Sequence, residues 1–243
     1  MKGGGGMLAQ RLLDVRSRVA EAALRAGRYP DDVRILAVTK GVPAATIRDA
    51  MGLGQRLFGE NYLQEALSKR EDLGEAFQNG EWHFIGRLQK NKVRRVCEFF
   101  SCIQSVDDLR LLEAIDRVSK ETGRVMPVFL QINVGREASK GGIMPEDLPV
   151  FLEKSKRFVF VSIRGLMALP PFSEDPEDAR GWFRALRELR DRMNDLGRLT
   201  YPLADLSMGM SNDFEVAIEE GATVVRIGTA LFGPRIPRQE ESR

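Results

Sequence analysis

Alternation constrains this chain more than any other feature. Eight short runs rich in β-branched and aromatic residues recur along it: "ILAVT", "RLFGEN", "WHFIG", "CIQSV", "MPVFLQINV", "SIRGLMAL", "DLSMGM" and "TVVRIG". A charged, Ala- and Leu-rich stretch of helical period separates each from the next. Parallel strands need such crossovers, and eight of them with no second block of different composition favour one closed (β/α)8 barrel over an open doubly wound sheet. A length of 243 residues is ordinary for one barrel. The helical stretches carry their own punctuation. "VPAATIRDAM" has proline at its first turn, and "VDDLRLLEAIDRVSKETG" opens acidic and ends in glycine, as does "DPEDARGWFRALRELRDRMNDLG". Leu12, Leu13, Val15, Val19, Ala22 and Ala23 mark an extra helix ahead of the first strand, from Leu8 to Arg25. The opening "MKGGGGM" reads as a flexible leader. The expected organisation is a leader over 1–7, a barrel domain over 8–236 and a tail over 237–243.

Bulk chemistry excludes several functions. With 37 basic and 35 acidic residues the net charge is +2, which gives no basis for binding nucleic acid or an anionic membrane. No apolar run approaches the roughly 18 residues that span a bilayer. Cys97 and Cys102 are too few for a disulfide framework and read as reduced residues of a cytoplasmic protein. His83 is the one histidine, so a metal site would rest on carboxylates, and none cluster at ligand spacing.

In a barrel of this kind the chemistry lies at the C-terminal ends of the strands. The polar and small residues expected there are Lys40, Glu60, Asn61, Gly86, Gln104, Ser105, Asn133, Met167, Met208 to Asn212 and Arg226 to Thr229, with His83 a little deeper. Period-two alternation places Leu36, Val38 and Lys40 on one face of the first strand, and Val224, Arg226 and Gly228 on one face of the last. First and last strands are neighbours in a closed barrel, so two cations would converge if both faces point inward. Buried unpaired charge is costly. A bound anion resolves the conflict, and so does an amine without its proton, which is also a nucleophile. A snorkelling lysine with its head in water is the plain alternative. The turns "SMGMSNDFE" and "RIGTALFG" follow strands seven and eight, where barrels often bind phosphate. Gly209 would let the backbone approach a ligand, and Asn212 with Glu215 has capping-box spacing. An amine on strand one, a phosphate cradle on strands seven and eight and an arginine between them describe a pyridoxal 5′-phosphate pocket. A Schiff-base aldolase acting on a phosphorylated sugar is the competing chemistry.

"LAVTK", "FGENYLQEA", "WHFIGRLQKNK", "INVGREASKGGI", "RGLMALPP" and "LSMGMSNDFEVAIEEGATVVRIGTALFG" together resemble the pyridoxal phosphate homeostasis family (the YggS/PROSC proteins), from about Ile35 to Gly233. The resemblance implies a barrel of the alanine racemase N-terminal type. It implies that Lys40 is the Schiff-base lysine, that Asn61 and His83 line the pocket around the ring, that Ser211, Gly228 and Thr229 hold the phosphate, and that Arg226 sits near the pyridine nitrogen. An arginine cannot accept the ring proton, and the barrel leaves no residues for the second domain of a racemase or decarboxylase. Both points favour a carrier that contributes to intracellular vitamin B6 and amino-acid homeostasis over a slow racemase-like enzyme. The implied partners are pyridoxal phosphate, related B6 vitamers and pyridoxal phosphate-dependent apoenzymes as recipients, with a monomer or weak dimer expected.

Overall fold

Every one of the eight apolar runs forms a strand: β1 (Arg34–Val38), β2 (Leu57–Glu60), β3 (Glu81–Phe84), β4 (Cys102–Val106), β5 (Met126–Ile132), β6 (Val161–Ala168), β7 (Asp205–Ser207) and β8 (Val224–Ile227). The structure, a computed structural model, describes residues 4–137, 140–197, 199 and 201–234. The strands are parallel, pair in sequence order and close into a barrel. Closure is made by β8 on β1, from Arg34 opposite Val224 to Ala37 opposite Ile227. The helices are α1 (Gly4–Arg25), α2 (Ala44–Gly52), α3 (Leu63–Leu73), α4 (Val93–Phe99), α5 (Leu109–Thr122), α6 (Leu148–Ser155), α7 (Arg180–Asp195), α8 (Phe214–Glu219) and α9 (Thr229–Phe232). The Asp108 carboxylate accepts the Arg110 N–H at 2.9 Å to start α5, and Gly123 ends it.

One boundary differs from expectation. Helix α1 begins at Gly4, so residues 4–7 belong to it rather than to a leader. Backbone hydrogen bonds alone extend a helix, and Leu8, Leu12 and Val15 anchor this one by burial. The end of the domain at 236 and the tail 237–243 lie outside the described residues. Helix α1 has a structural task. The last two helices are short, and α1 packs across α8 and α9, with ion pairs from Arg18 to Glu215 at 2.8 Å and from Arg25 to Glu219 at 2.9 Å.

Two separate apolar regions result. The larger lies between strands and helices and includes Phe58, Phe100, Phe183 and Phe214, all fully buried. The smaller lies inside the barrel: Leu36, Leu57, Cys102, Phe129, Met167 and Val224, with Val38 and Ile85 packed on it. Gly59 belongs to this inner layer, where a Cβ would stand 2.3 Å from Leu36 Cδ2, so only glycine leaves room for that leucine. At the N-terminal mouth, Arg34 pairs with Glu81, and Arg164 lies 3.5 Å from Asp205. Cys97 and Cys102 are free and buried. Burial pushes both thiols up, Cys97 to about 11, which leaves them unreactive. Among the described residues no helix is long and apolar enough to cross a membrane, and no group of acidic, histidine and cysteine side chains could hold a metal ion.

Candidate functional site

The strand ends that carry Lys40 and Arg226 open into one cavity of about 370 Å³ at the C-terminal mouth of the barrel. Lys40 and Val38 line it from β1, Asn61 from the end of β2, and Ile85 from the end of β3. Met167, Leu169 and Phe172 line it from β6 and beyond, the loop Met210 to Asp213 from β7, and Arg226, Gly228 and Thr229 from β8. The alternation that put Leu36, Val38 and Lys40 on one face is realised, since Leu36 and Val38 pack inside the barrel. The same holds for Val224, Arg226 and Gly228. Lys40 Nζ lies 5.1 Å from the centroid of the Tyr62 ring, a cation–π distance.

Arg226 is buried and held at two points. One terminal nitrogen donates to Ser207 Oγ and the other to the Ala168 carbonyl, each at 2.8 Å. Burial lowers its pKa to about 10, against the opposing charge of Asp213, so it remains a cation at neutral pH. Asp213 is the cavity's carboxylate. It accepts the Met210 N–H at 2.6 Å, and burial pushes its pKa up against that hydrogen bond and the Arg226 charge. In the same loop, Ser211 Oγ accepts N–H groups from Gly228 and Ala230, both at 3.2 Å. Thr229 stands exposed beside them.

The loop after β7 departs from expectation in one detail, its cap, and its glycine has a packing role. Gly209 has φ +91°, and a Cβ there would sit 2.6 Å from Ala217 Cβ. The turn into α8 is by itself enough to require glycine here. The Asn212–Glu215 capping box does not form, because Asp213 precedes the first turn of α8. Asn212 donates instead to the Ser173 carbonyl at 3.1 Å, and Glu215 pairs with Arg18.

A larger cleft of about 810 Å³ opens beside the cavity among the loops after β2, β3 and β4 and shares Asn61 with it. Its cations, Arg87, Lys90 and Lys92, come from a loop and an adjoining turn. The smaller cavity is the one that combines an amine at a strand end, a buried guanidinium and a turn with converging N–H groups.

The chain matches the family described as alanine racemase, N-terminal domain, over residues 14–236. The pyridoxal phosphate homeostasis protein of Aquifex aeolicus is 45% identical to it over 226 residues, spanning 93% of this chain and 97% of that one. That of Pseudomonas aeruginosa is 47% identical over 231 residues, spanning 94% and 96%. The chain belongs to the pyridoxal phosphate homeostasis family. A solved structure of PipY from Synechococcus elongatus PCC7942, with PLP bound, superposes with a TM-score of 0.82 at 37% identity, covering 93% of this chain and all of that one.

In this member of the homeostasis family, six of the seven residues expected at the site line the one cavity: Lys40, Asn61, Ser211, Arg226, Gly228 and Thr229. His83 lies deeper, two residues before Ile85 on the inward face of β3, with Nε2 2.8 Å from Glu81 and Nδ1 2.8 Å from Gln104. Glu60 faces outward. It is fully buried against α3, where Lys69 Nζ lies 2.5 Å from it and 2.8 Å from Glu65. Asn133 binds the backbone of Glu137 and Lys140 and so shapes its own loop. Sequence reasoning missed Asp213, Ser207 and Lys69. Period two from Asp205 would have turned Ser207 inward, and Glu65 to Lys69 has i,i+4 spacing. Asp213 carried no local signal beyond its neighbours Ser211 and Asn212.

Proposed function

We propose that this protein binds pyridoxal 5′-phosphate in the 370 Å³ cavity, holds it as a Schiff base on Lys40, and acts as a carrier in intracellular vitamin B6 and amino-acid homeostasis. The observation that supports this most is the meeting of Lys40, Arg226 and the N–H groups around Ser211 in one cavity of cofactor size. The donor set fits the group: one amine for an aldehyde, N–H and hydroxyl donors for a phosphate, and apolar walls from Val38, Ile85 and Met167 for a ring. The names of the Aquifex and Pseudomonas relatives and the PLP bound to PipY point the same way.

Position in the cavity and the family resemblance support the following roles. Lys40 supplies the amine. Ser211, Gly228 and Thr229 would take the phosphate at the turns after β7 and β8. Asn61 would line the pocket around the ring, and His83 would support it from deeper in the barrel. Arg226 faces the pyridine nitrogen as a donor. Pyridoxal phosphate supplies an electron sink whose strength depends on a proton at that nitrogen. A guanidinium can donate there and cannot take that proton, so Arg226 favours an unprotonated ring and holding over turnover. Apoenzymes that use pyridoxal phosphate are the recipients this reading implies. Borohydride reduction of the loaded protein followed by peptide mapping tests it. The label is expected on Lys40, and a label on Lys90 or Lys92 instead would refute the assignment.

A further inference from the structure

Five side chains cross the interior of the barrel in one hydrogen-bonded line. Arg226 on β8 donates to Ser207 Oγ on β7 at 2.8 Å, and the Ser207 hydroxyl donates to Gln104 Oε1 on β4 at 2.7 Å. Gln104 Nε2 meets His83 Nδ1 on β3 at 2.8 Å, and His83 Nε2 meets Glu81 Oε1 at 2.8 Å. The other oxygen of Glu81 accepts from Arg34 at the N-terminal mouth. The line therefore runs from the cavity to the opposite end of the barrel.

Its direction is forced. Arginine has only donors, so Ser207 Oγ accepts there and must spend its single proton on the Gln104 oxygen. That turns the Gln104 nitrogen toward His83, whose Nδ1 must then be bare. The ring proton sits on Nε2 and faces a carboxylate. With the amide of Gln104 turned over, the Ser207 hydroxyl would meet two donors and lose its acceptor. Only one arrangement satisfies every group. Hydrogen bonding from His83, with help from Arg34, holds Glu81 below the ordinary carboxylate range against the opposing effect of burial, so the far end of the line is an anion at neutral pH. His83, Gln104 and Ser207 are essentially inaccessible. Apolar side chains would fill the same space without the need for exact partners.

We propose, resting on the cofactor reading above, that Glu81, His83, Gln104 and Ser207 are positioning residues that lock the Arg226 guanidinium in the orientation it presents to the cofactor ring. Two of the five Arg226 donors are engaged by Ser207 and Ala168 among the described residues. Those two contacts grip opposite terminal nitrogens. Removing the Ser207 contact leaves one pivot, about which the planar group can turn away from the ring.

The chain has a single histidine, so nitrogen NMR of histidine-labelled protein reads this line without ambiguity. Cofactor-free protein is expected to show neutral imidazole protonated at Nε2. Ser207→Ala and Gln104→Leu act in the core, and Glu81→Gln acts at the half-exposed mouth, where folding tolerates change. Each should move the Nδ1 resonance. In the loaded protein, Ser207→Ala should weaken pyridoxal phosphate and unphosphorylated pyridoxal alike, about tenfold, and shift the absorption band of the bound cofactor. Glu81→Gln should shift the band in the same direction by less. A purely structural role would lower the melting temperature and leave band and affinities as in the parent; that result, or a His83 protonated at Nδ1 alone, overturns the proposal. If the parent binds no pyridoxal phosphate, the cofactor reading falls and this proposal with it. Binding by the parent with unmoved bands in the variants overturns this proposal alone.

Discussion

Between strands and helices, Phe58, Phe183, Leu112 and Ile115 are fully buried among other apolar side chains, and Phe58 stacks on Trp82 at 4.9 Å. Inside the barrel, at the same depth, Leu36 and Phe129 share the space with His83, Gln104, Ser207 and Arg226. The outer region is held by area and volume. The inner one is held by hydrogen bonds that each require a particular partner in a particular direction. An ionic exception in the outer region is the Glu60–Lys69 pair, which meets Thr39, the neighbour of Lys40 in the chain. Lys69 also reaches the Thr39 carbonyl at 2.5 Å, and the Thr39 hydroxyl donates to Glu60 at 2.6 Å, so the exception pins the strand end from which Lys40 departs.

Truncation should separate the two regions most sharply. Phe58→Ala removes a ring from the outer layer and should cost about 3–5 kcal/mol in urea unfolding, while leaving the His83 tautomer unchanged. A changed tautomer would mean the regions are not independent. Lys69→Met comes next, because removing one partner of a buried pair leaves the other uncompensated, at a cost of about 3 kcal/mol near neutral pH. Its pH dependence has a definite sign. Burial pushes Glu60 above the ordinary carboxylate range, with Lys69 and then Thr39 opposing it. An acid with a raised folded pKa contributes most stability below its unfolded value and loses it as pH rises through the folded one. Loss of Lys69 removes the strongest opposing influence, so the deficit should widen as pH rises above the ordinary carboxylate range. A deficit that narrows as pH rises would show that Glu60 is not the group left behind.

Smaller effects test the cavity. Ser211→Ala should weaken pyridoxal phosphate about tenfold and unphosphorylated pyridoxal hardly at all, the reverse of the equal losses expected for Ser207→Ala. Equal losses at Ser211 would place that hydroxyl by the ring. Lys40→Ala should change stability least, within about 0.5 kcal/mol, because its amine projects into the cavity instead of packing in either region. The same variant should abolish the borohydride-fixed label.

The sequence by itself determined the eight strands, their alternation with helices, and which residues of β1 and β8 share a face. These are local properties, since side-chain period and turn chemistry act over a few residues. For that reason the sequence alone places Lys40, Arg226, Gly228 and Thr229 at one mouth. Tertiary structure alone decided the rest. Gln104 and Ser207 are 103 residues apart and meet because barrel closure sets β4 across from β7. Glu60 is also at a strand end, but it lies one residue out of phase with inward Gly59, so it faces Lys69 on α3 and not the cavity. The depth of His83 and the demand of Gly209 for space beside Ala217 depend on where neighbouring elements stop, which no periodicity in either segment encodes.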